Sequence, residues 1–463
     1  MTAGMKTQQN SSPLSPLTRR RFLARTGLGL AATQFLPAPL WGANAPGNRL
    51  NIAGIGIGSR GGSDVDAMAR EGQNIVALCD VDSQYAAKKF QQYPKAKRFA
   101  DYRVMFDRLG KEIDAVVIGT PDHSHAVIAM EAMRRGKHVY CEKPMTHSVH
   151  EVRHLRAAAH KYGVVTQLGN QGHSYGDIRR LCEWVWSDAI GPVREVHAGC
   201  GAFRQVYCQI RNLPKIKQHY DVPASLDYDL WIGPVPFRPY TPFWVHWNWR
   251  GWMPFGTGCI GDWFCHVADP AFWALDLDAP VSVQAEVRDY DPLKQGIVYP
   301  PGTRITFEFA AKGVRGPVKL VWHDGTIPIP RPEPFPKDQK VPKTGAILFG
   351  SKGMIVHGSH GAGGCQILPE KRLNEYLAGG PRPPVLPRVK NHAWDWLEAI
   401  RTGRPAGSNF DYGARLTQTA LLGAVAIRFA GEKLLWDDQA GTFTNHGLAN
   451  AYLHPPYRAG WSL

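Results

Sequence analysis

Leu50-Asn-Ile-Ala-Gly-Ile-Gly56-Ile-Gly58-Ser-Arg-Gly61 is the stretch on which the reading of this chain turns. An apolar run opens directly into three glycines with G-x-G-x-x-G spacing, the pattern of a buried strand, a phosphate-binding turn and the start of a helix. Gly56 permits the tight turn, Gly58 lets backbone amides approach a pyrophosphate, and Gly61 lets the helix pack closely on its strand. Ser59 and Arg60 lie at the helix N-terminus, whose unpaired N–H groups suit phosphate oxygens. A glycine-rich turn alone is commonly just a turn, so the context has to agree. It does: Asn74-Ile-Val-Ala-Leu-Cys-Asp80 is a second strand, ending in an acid nineteen residues after Gly61. A carboxylate there accepts hydrogen bonds from ribose hydroxyls and repels a 2′-phosphate, so NAD is expected in preference to NADP.

Strands and helices continue to alternate. Ile113 to Ile118 opens into Gly119-Thr-Pro-Asp-His-Ser-His125, and Ala126 to Arg135 reads as a helix closed by Gly136. His138 to Cys141 runs into Glu142-Lys143-Pro144, and Val164 to Leu168 precedes Gly169-Asn-Gln-Gly172. This order predicts a doubly wound parallel sheet, whose ligand lies beyond the carboxyl ends of the strands. Gly56, Asp80, Thr120, Lys143 and Asn170 all fall at such ends.

The glycine loop, Thr120-Pro-Asp-His-Ser-His125, Glu142-Lys-Pro144 and the downstream Asp262-Trp-Phe-Cys-His266 together resemble the Gfo/Idh/MocA oxidoreductases, over nearly the whole chain after residue 48. The resemblance implies an α/β protein: an N-terminal Rossmann domain, then a C-terminal α/β domain with a large, mostly antiparallel sheet for substrate and oligomer contacts. The expected domains are 48–170 and 171–463, the final helices packing back towards the Rossmann domain in a homodimer or homotetramer. It further implies Lys143 and His266 around a reacting hydroxyl, Asp262 beside them, Glu142 on the nicotinamide ribose, and a cis bond before Pro144. Asp122 and His125 join the candidate cofactor contacts.

The chemistry follows from the residues as well. Oxidising a carbinol removes a hydride and a hydroxyl proton, so a base must reach the oxygen. His266 titrates in the right range, and Asp262, four residues earlier, shares a helix face with it, where the carboxylate can orient or charge the imidazole. Lys143, held near a cofactor, can donate to the same oxygen. A surface ion pair would account for Asp-x-x-x-His equally well, but Gly256 to Gly261, Trp263, Phe264 and Val267 mark this helix as packed.

The N-terminal 45 residues carry a different message. Thr18-Arg-Arg-Arg-Phe-Leu23 matches a twin-arginine export pattern, Thr26 to Leu40 is too short and weakly apolar to span a membrane, and Ala43-Asn-Ala45 is a candidate cleavage site. The expectations are a signal peptide over 1–45, handling by the twin-arginine export machinery, a periplasmic or secreted product and no stable membrane anchor. An enzyme exported folded, away from a nicotinamide pool, is expected to hold its cofactor tightly. The net charge is +15, and setting aside the five positive side chains before residue 46 leaves +10, dispersed without a basic block. That pattern argues against nucleic acid.

Eight cysteines include no CxxC pair, and eighteen histidines include no HExxH or comparable spacing, so no structural metal is expected. Cys79, Cys141 and Cys265 read as buried thiols. Cys200 with Cys208, or Cys259 with Cys265, can be bridged only if the fold brings them together. In the second half, nine aromatic residues from Tyr228 to Trp252 are interleaved with His246, Asn248 and Arg250. Aromatic faces beside polar groups suit a sugar ring, although most such rings pack the core. Gln171, His246, Trp249 and Arg250 are the candidate substrate contacts. Strands are expected at 281–287, 304–309, 318–322 and 346–348, and helices at 391–402 and 414–429. Pro330 to Pro336 is a candidate exchange arm between subunits.

Two enzymatic readings result. The first is an NAD-dependent oxidoreductase acting on a sugar or polyol CH–OH group, with tightly bound cofactor. The second is a redox-neutral glycoside-cleaving enzyme, in which transient oxidation permits elimination and the hydride then returns. A catalytically idle binding protein is the third reading, against which Lys143, Asp262 and His266 argue.

Overall fold

The computed structural model describes residues 49–201, 204–333 and 335–463. The twin-arginine segment and its candidate cleavage site lie outside the described residues.

Six parallel strands form the first sheet, in the order β3-β2-β1-β4-β5-β6. They are β1 (Asn51–Ile55), β2 (Asn74–Cys79), β3 (Lys97–Phe99), β4 (Ala115–Ile118), β5 (His138–Cys141) and β6 (Thr166–Leu168). The helices between them are α1 (Arg60–Arg70), α2 (Ala87–Gln92), α3 (Tyr102–Leu109), α4 (Asp122–Arg134) and α5 (Val149–Tyr162). The apolar runs of β1, β4 and β5 are what strands covered on both faces require. Successive side chains alternate between two cores: Ile52, Val117 and Tyr140 join one, while Ala53, Val116, Ile118, Val139 and Cys141 join the other. The first core is completed from far along the chain by Trp396 and Ile400 of a C-terminal helix.

After α6 (Gly176–Trp186) the chain builds a nine-stranded sheet in the order β13-β12-β11-β7-β10-β9-β8-β14-β15. Its strands are β7 (Val193–Cys200), β8 (Ser282–Arg288), β9 (Gly302–Phe309), β10 (Val318–Gly325), β11 (Thr344–Gly350), β12 (Met354–His357), β13 (Gln366–Leu368), β14 (Lys433–Asp437) and β15 (Thr442–Phe443). Only β7 and β10 pair in parallel. The four strands expected from alternation correspond to β8 to β11, the first of them beginning one residue later than expected. Its longer helices are α7 (Tyr228–Ile232), α8 (Gly258–Val267), α9 (Asp269–Leu275), α10 (Glu370–Ala378), α11 (His392–Thr402) and α12 (Phe410–Ile427). The last of these starts four residues before the expected boundary, because the Asn409 side chain accepts from the Asp411 and Tyr412 amides and caps it there.

In the proline-rich segment, Ile329 and Phe335 pack on Ile347, Met354 and Leu368 of the same chain. All eight cysteines are free thiols, so neither Cys200 with Cys208 nor Cys259 with Cys265 is bridged. Among the described residues no helix is long and apolar enough to cross a membrane.

Candidate active site

Beyond the carboxyl ends of β1, β2, β4 and β5 lies a cleft of about 620 Å³, walled on its other side by α7, α8 and the aromatic segment before α8. Of the residues expected to hold cofactor or substrate, Gly56, Gly58, Ser59, Arg60, Asp80, Thr120, Asp122, His125, Glu142, Lys143, Gln171, His246, Trp249, Arg250, Asp262 and His266 all line it.

Gly61 lies behind the wall, where it meets Gly119 so closely that a side chain on either would collide with the other's backbone. Asn170 does not reach the cleft. It is fully buried, donating to Asp269 at 3.0 Å and accepting from Ser408 at 2.6 Å. His173 also contacts Asp269, so Asn170 belongs to a buried polar network that joins the turn after β6 to α9 and to the start of α12. Its position at a strand end was legible, but not the inward rotation of its side chain.

The glycine loop is held by Asp80, which accepts from the amides of Ile57 at 2.8 Å and Gly58 at 2.9 Å. Burial pushes the Asp80 carboxyl up to about 6 against those hydrogen bonds. The missing side chain of Gly58 makes room for the ring of Tyr85, which packs directly over it. Tyr85 stacks in turn on His246, with ring centroids 3.8 Å apart, and His246 Nε2 lies 3.1 Å from an Asp82 carboxylate oxygen. Sequence alone did not single out Asp82 or Tyr85. On the first turn of α1, Arg60 bridges two carboxylates, Glu142 at 3.0 Å and Asp64 at 2.7 Å.

Lys143 follows β5 and is joined to Pro144 by a cis peptide bond. Its ammonium forms an ion pair with the Asp262 side chain and donates to the Asp262 backbone carbonyl at 2.9 Å. The other Asp262 carboxylate oxygen accepts from the Tyr207 hydroxyl, which itself accepts from Trp263 Nε1 at 2.8 Å. Burial works against the charge on Asp262, but Lys143 and Arg250 outweigh it and hold the carboxyl well below the usual range. Arg250 is fixed between two rings, 4.3 Å from the centroid of Trp247 and 4.1 Å from that of Trp249.

This geometry corrects the expected pairing of Asp262 with His266. Both stand on α8, but the carboxylate is committed to Lys143 and Tyr207, and the His266 ring packs on His360 with centroids 4.1 Å apart. Burial, then the charge of Lys143, pushes the His266 imidazole well below its ordinary value, so it is neutral at neutral pH. Asp122 acts one step back. It accepts from the Thr257 amide at 3.0 Å and hydroxyl at 2.6 Å, pinning the residue that immediately precedes α8. Burial raises its carboxyl to about 7. His125 has both ring nitrogens against backbone carbonyls, those of Pro144 at 2.8 Å and Thr120 at 2.9 Å, and so braces the lysine turn.

Most of the aromatic run is core. Tyr228, Trp231, Tyr240, Trp244 and Trp252 pack with Phe255, while Trp231, Trp247 and Trp249 also face the cleft. Tyr207, His360 and Trp461 are further cleft residues without a signal in the sequence, each brought there by a segment remote from the motifs.

The cleft fits a polar ligand. Thr120 Oγ1, Gln171 Oε1 and His266 Nδ1 are buried and have no hydrogen-bond partner among the described residues, yet all three side chains line this one cavity. Buried polar atoms ordinarily have partners. A dinucleotide with a hydroxylated substrate supplies donors and acceptors of the kind these atoms lack. Among the described residues, no three His, Cys, Asp or Glu side chains are grouped to hold a metal ion.

Comparison with known proteins agrees with this architecture. The model of the oxidoreductase family's NAD-binding Rossmann fold (GFO_IDH_MocA) matches residues 50–170, and that of its C-terminal alpha/beta domain matches residues 202–311. A glycosyl hydrolase family 109 protein of Solibacter usitatus is 34% identical over 140 residues, covering 28% of this chain and 32% of that protein. The inositol 2-dehydrogenase of Salmonella paratyphi B is 29% identical over 147 residues, covering 31% of this chain and 43% of that one. The chain thus matches less than half the length of these relatives. An inositol dehydrogenase homolog from Azotobacter vinelandii, solved with NADH and myo-inositol, superposes with a TM-score of 0.56 at 14% identity, covering 84% of this chain and 98% of that one. At that identity the likeness speaks for the fold alone.

Proposed function

We propose, from the premise that a chain carrying both domain models in order is a member of the Gfo/Idh/MocA oxidoreductase family, that this protein oxidises or reduces a sugar or polyol at a CH–OH group with tightly held NAD. The observation that carries the reading is the convergence of Lys143, Asp262 and the neutral, buried His266 on the cleft that also holds the glycine loop and Asp80.

Bound NAD supplies the hydride acceptor. The chain's own groups handle the proton and the oxygen. A carbinol oxygen between Lys143 and His266 donates its proton to the neutral imidazole, while the Lys143 ammonium donates to the same oxygen and stabilises the charge that develops there. Asp262 fixes the ammonium from the side chain and the backbone together, so little reorganisation is needed as that charge grows. Tyr207 and Arg250 keep the carboxylate ionised, and Asp122 keeps α8 in register with the lysine turn. An acid at the end of β2, Asp80, supports NAD over NADP, since a carboxylate beside the ribose would repel a 2′-phosphate. Export through the twin-arginine pathway to the periplasm belongs to the same proposal, as does the retention of cofactor through each turnover.

A second reading is supported by the family 109 relative: redox-neutral cleavage of a glycoside. The same residues would serve it: the proton on the carbon beside the transient ketone is removed, the aglycone leaves as its alcohol, and water adds to the resulting double bond before the hydride returns. Purified protein incubated with panels of sugars, cyclitols and aryl glycosides separates the two. Keto-sugar or net reduced nicotinamide supports oxidation. Free aglycone without net reduction supports cleavage, and inertness of the nucleotide-loaded protein towards every panel member counts against both.

A further inference from the structure

Gly358-Ser-His-Gly-Ala-Gly-Gly-Cys365 joins β12 to β13 and turns into the cleft. Its path is tightly constrained. The backbones of Gly361 and Gly172 meet with no room for a side chain on either, which seats the loop on the turn that carries Gln171. His360 at φ 34° and Ala362 at φ 60° hold left-handed conformations that residues other than glycine seldom adopt. Such positions concentrate at functional sites. Here the consequence is that the His360 imidazole enters the cleft.

Inside the cleft the ring is well defined. It packs 4.1 Å from His266 at an interplanar angle of 33°, meets Trp263 edge-on at 5.4 Å, and is anchored through Nδ1 to the Ser359 hydroxyl at 3.0 Å. Its Nε2 has no hydrogen-bond partner among the described residues. The charged groups facing it are Lys143 and Asp262, which are already paired with each other, and Arg60 and Glu142 farther along the wall, which are likewise paired. An uncharged hydrogen-bonding partner suits this corner better than an anion.

We propose that His360 determines specificity by binding the hydroxyl adjacent to the one held by Lys143 and His266, so that the site selects a vicinal diol. Neighbouring hydroxyls of a sugar or cyclitol are separated by one carbon–carbon bond, and two imidazoles whose ring centroids lie 4.1 Å apart stand close enough for each to take one of the two oxygens. A neutral imidazole both donates and accepts, as a hydroxyl does. A site that hydrogen-bonds a substrate hydroxyl discriminates strongly against an analogue lacking it. The inference rests on the reading that the substrate is a sugar or polyol.

The test is titration calorimetry of the full chain in the presence of NAD. D-glucose, D-galactose, N-acetyl-D-galactosamine and myo-inositol are compared, and the tightest binder is then compared with its monodeoxy analogues. The wild type is expected to bind one deoxy analogue, lacking a hydroxyl beside the oxidised carbon, at least about tenfold more weakly than the parent. His360→Gly removes the ring without requiring a side chain to hold positive φ, and is expected to abolish that discrimination while binding the same deoxy analogue as the wild type does. His360→Asn, which tolerates this backbone region and keeps a polar group, is expected to restore part of it. Discrimination that survives His360→Gly, or that the wild type never shows, overturns the assignment to His360 and leaves the oxidoreductase reading standing. Failure of the wild type to bind any of the four compounds overturns both.

Discussion

Lys143 and Asp262, 119 residues apart in sequence, close the cleft from opposite sides: the ammonium at the end of β5 contacts both the side chain and the backbone carbonyl of the aspartate on α8. The substrate oxygen of the proposed reaction therefore meets a lysine whose direction is set by the second domain. If this is the reacting centre, Lys143→Ala should lower the rate of hydride transfer by about 10²- to 10⁴-fold. Nucleotide affinity should change little. Single-turnover nicotinamide absorbance together with equilibrium nucleotide binding checks both halves, and an unaltered rate removes Lys143 from the mechanism.

Tyr207 is predicted to be a positioning residue. Tyr207→Phe removes a hydrogen bond to a buried carboxylate, an interaction worth about 1.5–3 kcal/mol. The Asp262 carboxyl should rise, and the acid limb of the kcat/KM profile should move to higher pH, with activity down about tenfold or more. A purely structural hydroxyl would lower stability without moving that limb.

The glycine loop depends on Asp80. Asp80→Asn keeps the shape but weakens the acceptor of the Ile57 and Gly58 amides, so NAD affinity should fall by about tenfold and the preference for NAD over NADP should narrow. Parallel titrations with NAD and NADP measure this, and a variant with unchanged preference would show that the carboxylate does not read the ribose.

His246 joins the aromatic segment to the Rossmann sheet through Asp82 and Tyr85. His246→Ala should release nucleotide faster, since the Tyr85 ring over Gly58 loses its stacking partner. Stopped-flow displacement of bound nucleotide follows the rate. Equal dissociation rates would place cofactor retention elsewhere in the fold.

Asp122 makes a prediction about pH. Its folded-state carboxyl lies near 7, above the ordinary carboxylate value of about 3.9. A raised carboxyl contributes stability that is complete below the unfolded value and is lost as pH rises through the folded one. Asp122→Asn can still accept from Thr257 but does not titrate. The stability of the variant relative to wild type should therefore rise between about pH 4 and pH 7 and level off above that. Thermal unfolding across this range checks it, and parallel curves for the two proteins would contradict the assignment.

Much of the fold and the cleft was legible in the amino-acid order. The apolar runs of β1, β4 and β5 separate inward faces by strict alternation, and three glycines spaced between a strand and a helix mark the turn that lets a backbone approach phosphate. The Asp262/His266 spacing located the right helix face, but not the partners of its side chains. Helical periodicity fixes direction around one axis and says nothing of what approaches from another element. Lys143 and Tyr207 claimed the carboxylate, and His360 took the place beside the imidazole. Asn170 shows the converse, a residue at the correct strand end whose side chain turned inward because Asp269 and Ser408 were there to satisfy it.

By itself the sequence determined the doubly wound sheet, the strand ends at which a nucleotide would lie, and many of the side chains that line the cleft, because these follow from local periodicity and backbone freedom. Only the tertiary structure decided how those side chains pair. Whether Asp262 holds a lysine or orients a histidine, and whether a second imidazole stands beside the first, depends on contacts between segments more than ninety residues apart. The competition among buried charges and hydrogen-bond partners is settled only when those segments meet in one desolvated space.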